Sequence, residues 1–259
     1  MLERWAVGEA YEAYVGRWSR RVAVDFVAGL GVAPGARWVD VGCGTGALAG
    51  AVLAGAGPAA VAGLDPSTGF LATAVAANPG IAFAAADARS LPLADGHVDA
   101  VVSGLALNFV PGPERAAAEF ARVLAPGGVA AAYVWDYAEG MAFMRHFWDA
   151  ALDLDPGAAE LDEGRRFTLC RPEALRALWS GAGLGDVDVR PVDIPTVFAD
   201  FDDFWQPFLG GQGTAPTYVS TLPEDRRDAL RELLRERLRA EPDGSVRLRA
   251  RAWAVQGVR

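Results

Sequence analysis

Short apolar runs alternate with amphipathic stretches along the first half of the chain. The runs are typical of buried strands, and the stretches between them have the apolar spacing of helices. Strands are predicted at residues 37–41, 60–65, 81–87, 98–105 and 129–135. Helices are predicted at 8–16, at 20–30, from 46, at 67–77 and at 113–124. This alternation predicts a parallel sheet with helices on both faces.

The pattern changes after residue 136. Further helices are predicted at 140–154 and 171–182, and further strands at 186–194 and 246–255. Residues 195–222 are rich in Phe, Trp, Gly and Asp and have no clear period. A helix is predicted over 221–240, where Thr221 and Glu224 fit a capping box.

These elements predict an α/β fold with a Rossmann-like, seven-stranded, mostly parallel sheet and an inserted helical cap. The whole chain, 1–259, is predicted to form a single domain. Its predicted parts are a core with an N-terminal arm at 1–136, a substrate cap at 137–169 and 195–245, and the end of the sheet at 170–194 and 246–259.

Composition narrows the class of protein. The formal net charge is −9, which disfavours binding to nucleic acid. The two cysteines, Cys43 and Cys170, are too few for a disulfide framework and predict a cytoplasmic location. Charges near the N-terminus argue against a signal peptide, and the uncharged run at 47–64 is too rich in Gly and Ala to predict a membrane span. All 24 basic residues are Arg, which is typical of a GC-rich, bacterial coding bias. Oligomeric state is not readable from the sequence.

The most informative motif is VDVGCGTGAL, in which a predicted strand meets a predicted helix. Gly42, Gly44 and Gly46 remove side chains where a ligand must approach the backbone, and the loop lies beside a helix N-terminus. A nucleotide-type ligand is therefore expected. The loop alone also fits the dinucleotide fingerprint, because Ala47 can replace its final glycine.

Three aspartates distinguish between these ligands. Asp40 precedes the glycines, where a pyrophosphate would be disfavoured and an amine or sulfonium accepted. Asp65 ends the second predicted strand, where a carboxylate can accept hydrogen bonds from ribose hydroxyls. Asp87 ends the third, where it can accept one from an adenine amine. Together they favour a cationic adenosine over a diphosphate.

With these motifs the sequence resembles the class I S-adenosylmethionine-dependent methyltransferases, in particular the type 11 and ubiquinone/menaquinone-biosynthesis group that acts on small molecules. The similarity covers about residues 11–136. The matching segments, in order, are YEAYVGRWSR, VDVGCGTG, LDPS, ADARSLPLADGHVDAVVS and RVLAPGG.

The resemblance implies S-adenosyl-L-methionine as the cofactor and a small molecule as the substrate, with no metal. It implies that Gly42, Gly44 and Gly46 hold the methionine part, with Tyr14 closing over it. The remaining implied contacts are ribose at Asp65, Pro66 and Ser67, adenine at Asp87 and Ala88, and the transferable methyl group near Leu105.

Catalysis of methyl transfer depends mainly on alignment, and a base is needed only when the nucleophile begins protonated. Asp136, Tyr137 and His146 are the candidates for such a catalytic group. Substrate contacts are predicted for Asn108, Phe147 and Trp205. The segment GGQGTAP, residues 210–216, is a candidate lid.

Three other functions remain open on the sequence. The cofactor's charge could promote cyclisation or decarboxylation without methyl transfer, because the binding motifs would be the same. A nicotinamide-dependent oxidoreductase is disfavoured by Asp40, by Asp87 and by the LAPGG turn. A non-catalytic cofactor sensor is the third.

Overall fold

The structure is a computed structural model that describes residues 16–211 and 213–259. The helix predicted at 8–16 lies almost entirely outside these residues. The strands are β1 (Arg37–Val41), β2 (Ala60–Asp65), β3 (Ala82–Ala85), β4 (Val98–Gly104), β5 (Leu124–Trp135), β6 (Gly185–Phe198) and β7 (Val246–Val258).

The α-helices among the described residues include those predicted and several short additional ones. They are α1 (Arg17–Ala28), α2 (Ala47–Gly55), α3 (Thr68–Ala77), α4 (Pro113–Val123), α5 (Ala142–Leu154), α6 (Glu163–Arg166), α7 (Pro172–Gly181), α8 (Phe201–Trp205), α9 (Thr214–Thr221) and α10 (Glu224–Arg237). Short 3₁₀ helices span Leu107–Phe109, Pro156–Glu160 and Gln206–Leu209.

The strands form one seven-stranded sheet in the order β3-β2-β1-β4-β5-β7-β6. Parallel pairing joins β3 to β2, β2 to β1, β1 to β4, and β4 to β5. β7 runs antiparallel to β5, because the N–H of Arg259 donates to the oxygen of Gly128 while that of Asp136 donates to Arg251. The predicted fold class is confirmed. The strand order reverses between β1 and β4, where open α/β sheets bind ligands.

Burial explains why these segments form strands and helices. Four of the five residues of β1 are buried, as in a central strand covered on both faces. Helix α4 instead buries one stripe, which contains Ala116, Phe120 and Val123.

The chain forms two compact units. The sheet unit contains residues 19–134, 169–192 and 252–259. Among the described residues, the aromatic unit contains 16–18, 135–168, 193–211 and 213–251. In the aromatic unit, Phe147 and Phe208 stack with ring centroids 4.5 Å apart. The segment at 195–222 thus contributes α8, a 3₁₀ helix and α9 to a packed aromatic core.

A buried polar network lies in the same unit. Arg145 donates two hydrogen bonds to Asp162, at 2.7 and 3.1 Å, and Asp162 also accepts the N–H of Gly164 at the start of α6. Beside this pair, Trp148 donates its indole N–H to Glu163. Each buried carboxylate therefore has a hydrogen-bond donor, which offsets the cost of burying it.

Three local predictions need correction. The capping box is wrong, because Thr221 is the last residue of α9 and its hydroxyl donates to the carbonyl of Tyr218. The third strand ends at Ala85, so that Asp87 lies beyond it. The sixth strand continues past Pro195 to Phe198. A proline is tolerated there because β6 lies at the edge of the sheet.

No helix among residues 16–211 and 213–259 is both long enough and apolar enough to cross a bilayer.

Candidate functional site

The glycine loop connects β1 to α2 within the sheet unit. Gly42, Gly44 and Gly46 have φ angles of 74°, 53° and 84°, a region that favours glycine. A Cβ atom at Gly42 would lie 2.5 Å from the Cβ of Ala106, and one at Gly46 would lie 2.5 Å from Nδ2 of Asn78. At Gly44, by contrast, a Cβ would have no heavy atom within 4 Å. The loop is therefore packed against protein at two glycines and open at the third.

Asp65 at the end of β2 holds this loop. One carboxylate oxygen accepts the N–H of Gly44 at 2.9 Å, and the other accepts that of Ser67 at 2.8 Å. Burial raises the pKa of Asp65, while the two hydrogen bonds oppose the rise. The sequence predicts a ligand role for Asp65. It does not predict the hydrogen bond from Gly44, because the two residues are 21 positions apart.

Asp40 lies in β1, opposite Gly63 of β2 and Val102 of β4. It is 1% exposed. Its Oδ2 accepts the N–H of Ala49 at 3.0 Å, and its buried Oδ1 has no hydrogen-bond partner in the described part of the chain. Burial raises its pKa to about 8, and the nearby Asp65 adds to the rise. A positively charged group beside the glycine loop would favour the ionised carboxylate.

The predicted adenine contacts lie on the surface after β3. Asp87 is exposed and forms an ion pair with Arg89, with Oδ2 and Nη2 2.6 Å apart. This pairing lowers the pKa of Asp87 to about 2, so the carboxylate is ionised at neutral pH. Ala88, the other predicted adenine contact, is half-buried.

The predicted ribose contacts that follow Asp65 lie at the start of α3. Pro66 is exposed. Ser67 caps α3, because its hydroxyl oxygen accepts the N–H of Phe70 at 3.4 Å.

The turn after β4 meets the glycine loop at Ala106. Leu105 has a φ of 57°, which is strained for a residue other than glycine, and its N–H donates to the carbonyl of Tyr133 at 2.8 Å. The amide nitrogen of Asn108 is buried and lacks a hydrogen-bond partner among the described residues. Leu105 and Asn108 thus lie in the same segment as Ala106, which packs against Gly42 of the loop.

The three candidate catalytic residues belong to the aromatic unit. Asp136 follows β5 and is 3% exposed; its Oδ1 accepts the N–H of Glu139 at 3.1 Å, and burial raises its pKa. The ring of Tyr137 packs against Phe167, with centroids 5.2 Å apart. His146 is half-buried on α5, and burial lowers its pKa.

Two predicted substrate contacts are deeply buried. Phe147 has no exposed surface and packs against Trp148 and Phe208. Trp205 is 3% exposed and lies 6.1 Å from Phe208, centroid to centroid. These contacts assign both residues a packing role. Their contact with a substrate stays a prediction, and their burial does not support it.

Tyr14 lies outside the described residues. Among residues 16–211 and 213–259, no group of three or more His, Cys, Asp or Glu side chains could hold a metal ion.

Comparison with known proteins identifies the segment that contains the glycine loop. Residues 39–132 match a protein family described as "Methyltransferase domain". This segment is similar to methyltransferase domains. The predicted resemblance is confirmed over this segment, which includes Asp40, Asp65, Asp87 and the loop.

Two relatives are similar to a little under half of this chain. A demethylmenaquinone methyltransferase from Renibacterium salmoninarum is 45% identical over 112 residues, which cover 43% of this chain and 45% of that protein. A trans-aconitate 2-methyltransferase from Methylobacterium nodulans is 38% identical over 119 residues, 46% of each protein. The matched segment spans about half the length of these relatives, so it identifies the domain and leaves the substrate open.

A solved structure has the same fold over nearly the whole chain. It is phosphoethanolamine N-methyltransferase 2 from Haemonchus contortus in complex with S-adenosyl-L-methionine. The TM-score is 0.58 at 18% identity, and the alignment covers 97% of this chain and 56% of that one.

Proposed function

We propose that this protein transfers the methyl group of S-adenosyl-L-methionine to a small-molecule acceptor. The observation that carries the proposal is Asp40, a buried carboxyl beside a glycine loop that is open at Gly44. One of its oxygens has no hydrogen-bond partner among residues 16–211 and 213–259. A diphosphate would disfavour ionisation of Asp40 further, whereas a cationic ligand would favour the ionised carboxylate and be attracted to it. The matched methyltransferase domain supports the same cofactor.

The proposed contacts follow the sheet. The methionine part lies along Gly42, Gly44 and Gly46, and Asp65, Pro66 and Ser67 hold the ribose. Asp87 and Ala88 hold the adenine, Leu105 lies near the methyl group, and Tyr14 closes the site. Each oxygen of Asp65 accepts one hydrogen bond within the protein and can accept another from a ribose hydroxyl, because a carboxylate oxygen has two lone pairs. Both oxygens of Asp87 already accept hydrogen bonds from Arg89, so an adenine amine would replace one of these donors.

S-adenosylmethionine supplies an electrophilic methyl group on a sulfonium. The protein's contribution is to bind, orient and exclude water, which can account for roughly 7–11 kcal/mol of the barrier. Burial raises the pKa of Asp136, one of the proposed catalytic residues, which makes it a stronger base than an ordinary carboxylate. Tyr137 and His146 are the other candidates.

The proposed acceptor is a small molecule, held by residues that include Asn108. The net charge of −9 disfavours a nucleic-acid substrate, and the names of the two relatives specify different small molecules. We also propose that the parts of the aromatic unit at 137–169 and 195–245 form the substrate cap, with 210–216 as its lid. A cytoplasmic location in a bacterium completes the proposal, because the chain has too few cysteines for a disulfide framework and both relatives are bacterial.

Calorimetric titration with S-adenosylmethionine and, separately, with NADH tests the choice of cofactor. We expect binding of S-adenosylmethionine alone, and binding of NADH alone would reject the proposal. Asp65→Ala should weaken S-adenosylmethionine binding by about 1–3 kcal/mol, the usual scale for hydrogen bonds to a charged group. Asp99→Ala is the matched control, because Asp99 pairs with Arg37 at the other end of β1. Equal affinities in the two variants would refute the role of Asp65.

The reaction itself is tested with a panel of small-molecule acceptors and methyl-labelled S-adenosylmethionine. We expect label in one product together with stoichiometric S-adenosylhomocysteine. Conversion of an acceptor with no label transferred would instead indicate a non-methylating use of the cofactor.

A further inference from the structure

A pocket of about 300 Å³ lies within the aromatic unit. It is formed by the end of α5, the residues that follow it, the helix α9 and the first turns of α10. Its apolar walls include Leu154, Leu222 and Leu230. This volume is at the lower end of the range for small-molecule pockets, and such pockets combine apolar walls with a few polar groups.

Two polar residues of the pocket already satisfy each other. The hydroxyl of Tyr218 donates to Oδ2 of Asp155 at 3.4 Å, and the N–H of Gly157 donates to Oδ1 at 2.9 Å. Both carboxylate oxygens of Asp155 therefore have a donor within the protein. Asp155 therefore has no oxygen for which a ligand would have to supply the only hydrogen-bond donor.

Arg226 is the third polar residue of the pocket, and its position differs from that of its neighbours on α10. Arg231 pairs with Asp202 at 2.9 Å, Arg237 pairs with Asp153, and Arg227 donates to the carbonyl of Leu222. Within residues 16–211 and 213–259, the guanidinium of Arg226 has no such partner. Arg226 is exposed to solvent and lines the pocket.

We propose that this pocket binds a small amphipathic carboxylic acid. Its carboxylate pairs with Arg226, and its hydrocarbon part packs against Leu154, Leu222 and Leu230. A guanidinium forms strong, charge-assisted hydrogen bonds with a carboxylate. A neutral amphiphile would gain only the apolar contacts. A cationic one would be repelled by Arg226 and attracted by Asp155, whose two oxygens already accept hydrogen bonds within the protein. The site shares no residue with the proposed cofactor site and does not depend on it.

Calorimetry on the full chain with decanoate, decanol and decyltrimethylammonium as probes tests the proposal. We expect decanoate to bind at least tenfold more tightly than either other probe. Arg226→Gln should weaken decanoate binding about tenfold, the size of one hydrogen bond to a charged group. Arg226→Lys should retain part of the affinity. Arg235→Gln is the matched control, because Arg235 is on the same helix but outside the pocket, and it should leave binding unchanged.

A second variant tests the apolar wall. Leu222→Ser should weaken decanoate binding severalfold without unfolding the protein, because Leu222 is only half-buried; circular dichroism checks the fold. No decanoate binding up to about 1 mM, equal binding of decanol, or equal losses in Arg226→Gln and Arg235→Gln would overturn the proposal. Because these measurements use no S-adenosylmethionine, they are independent of the proposed methyl transfer.

Discussion

Replacing Asp40 with asparagine should reduce the pH dependence of stability. Burial raises the pKa of this carboxyl to about 8 in the folded protein, from 3.8 when it is unperturbed. The folded state therefore binds the proton more tightly than the unfolded chain does. The resulting stabilisation is fully present below pH 3.8 and is lost as the pH rises through about 8.

The size of the effect follows from this window. Each pH unit within it changes the free energy of unfolding by about 1.4 kcal/mol. Between pH 5 and pH 7, the wild-type protein should lose about 2.7 kcal/mol through this one group. Asparagine has nearly the same shape but no titrating proton. Any constant cost of the buried amide cancels, because the comparison is between two pH values of the same variant.

Urea unfolding at pH 5, 6 and 7 measures this difference. Asp99→Asn is the control, because Arg37 lowers the pKa of Asp99 to about 2, which makes its contribution constant over this range. We expect the control to retain the wild-type slope and Asp40→Asn to lose about 1.4 kcal/mol per pH unit of it. Identical slopes in wild type and Asp40→Asn would refute the reasoning.

Gly44→Ala should lower the free energy of unfolding by about 1–2 kcal/mol, because φ is 53° there. It should also weaken S-adenosylmethionine binding more than tenfold, because the added methyl group lies on the open side of the loop. Unchanged affinity in calorimetry would contradict this. Phe147→Ala should cost about 3–5 kcal/mol in urea unfolding, as expected for a fully buried ring, and a cost below about 1 kcal/mol would argue against a packing role. Arg145→Met removes both hydrogen bonds from Arg145 to buried Asp162, which keeps only the N–H of Gly164 and the more distant, exposed Arg165, and should cost about 3–5 kcal/mol. Arg165→Met should cost less than about 1 kcal/mol, because the Arg165 side chain is 63% exposed and 3.7 Å from Asp162; equal costs would show that burial of the pair is irrelevant.

The sheet was predictable because its signals are local. Strand β2 up to Leu64 and the second half of β5 are continuous apolar runs. The composition of the glycine loop by itself predicts a turn from strand to helix. The lengths of the strands at the edge of the sheet were harder to predict from the sequence. Pro195 is a valid reason to end a central strand, and only the place of β6 at the edge makes it acceptable.

The aromatic unit was harder to predict, because α8 and the 3₁₀ helix after it are too short to show a helical period. Phe147 and Trp205 were assigned to the substrate on aromatic character, yet their burial depends on partners distant in the sequence, such as Phe208. The role of Asp65 in holding Gly44 is likewise a tertiary contact. The ion pair between Asp87 and Arg89 is a local contact, because the two residues are only two positions apart, and the sequence could have predicted it.

A crystal structure of the protein with S-adenosylhomocysteine tests the central claim most directly. The account predicts the ligand against the glycine loop, with its ribose hydroxyls donating to Asp65 and its amino group on the side of Asp40. Clear density for the ligand elsewhere, with the loop and Asp65 free of it, would contradict the account.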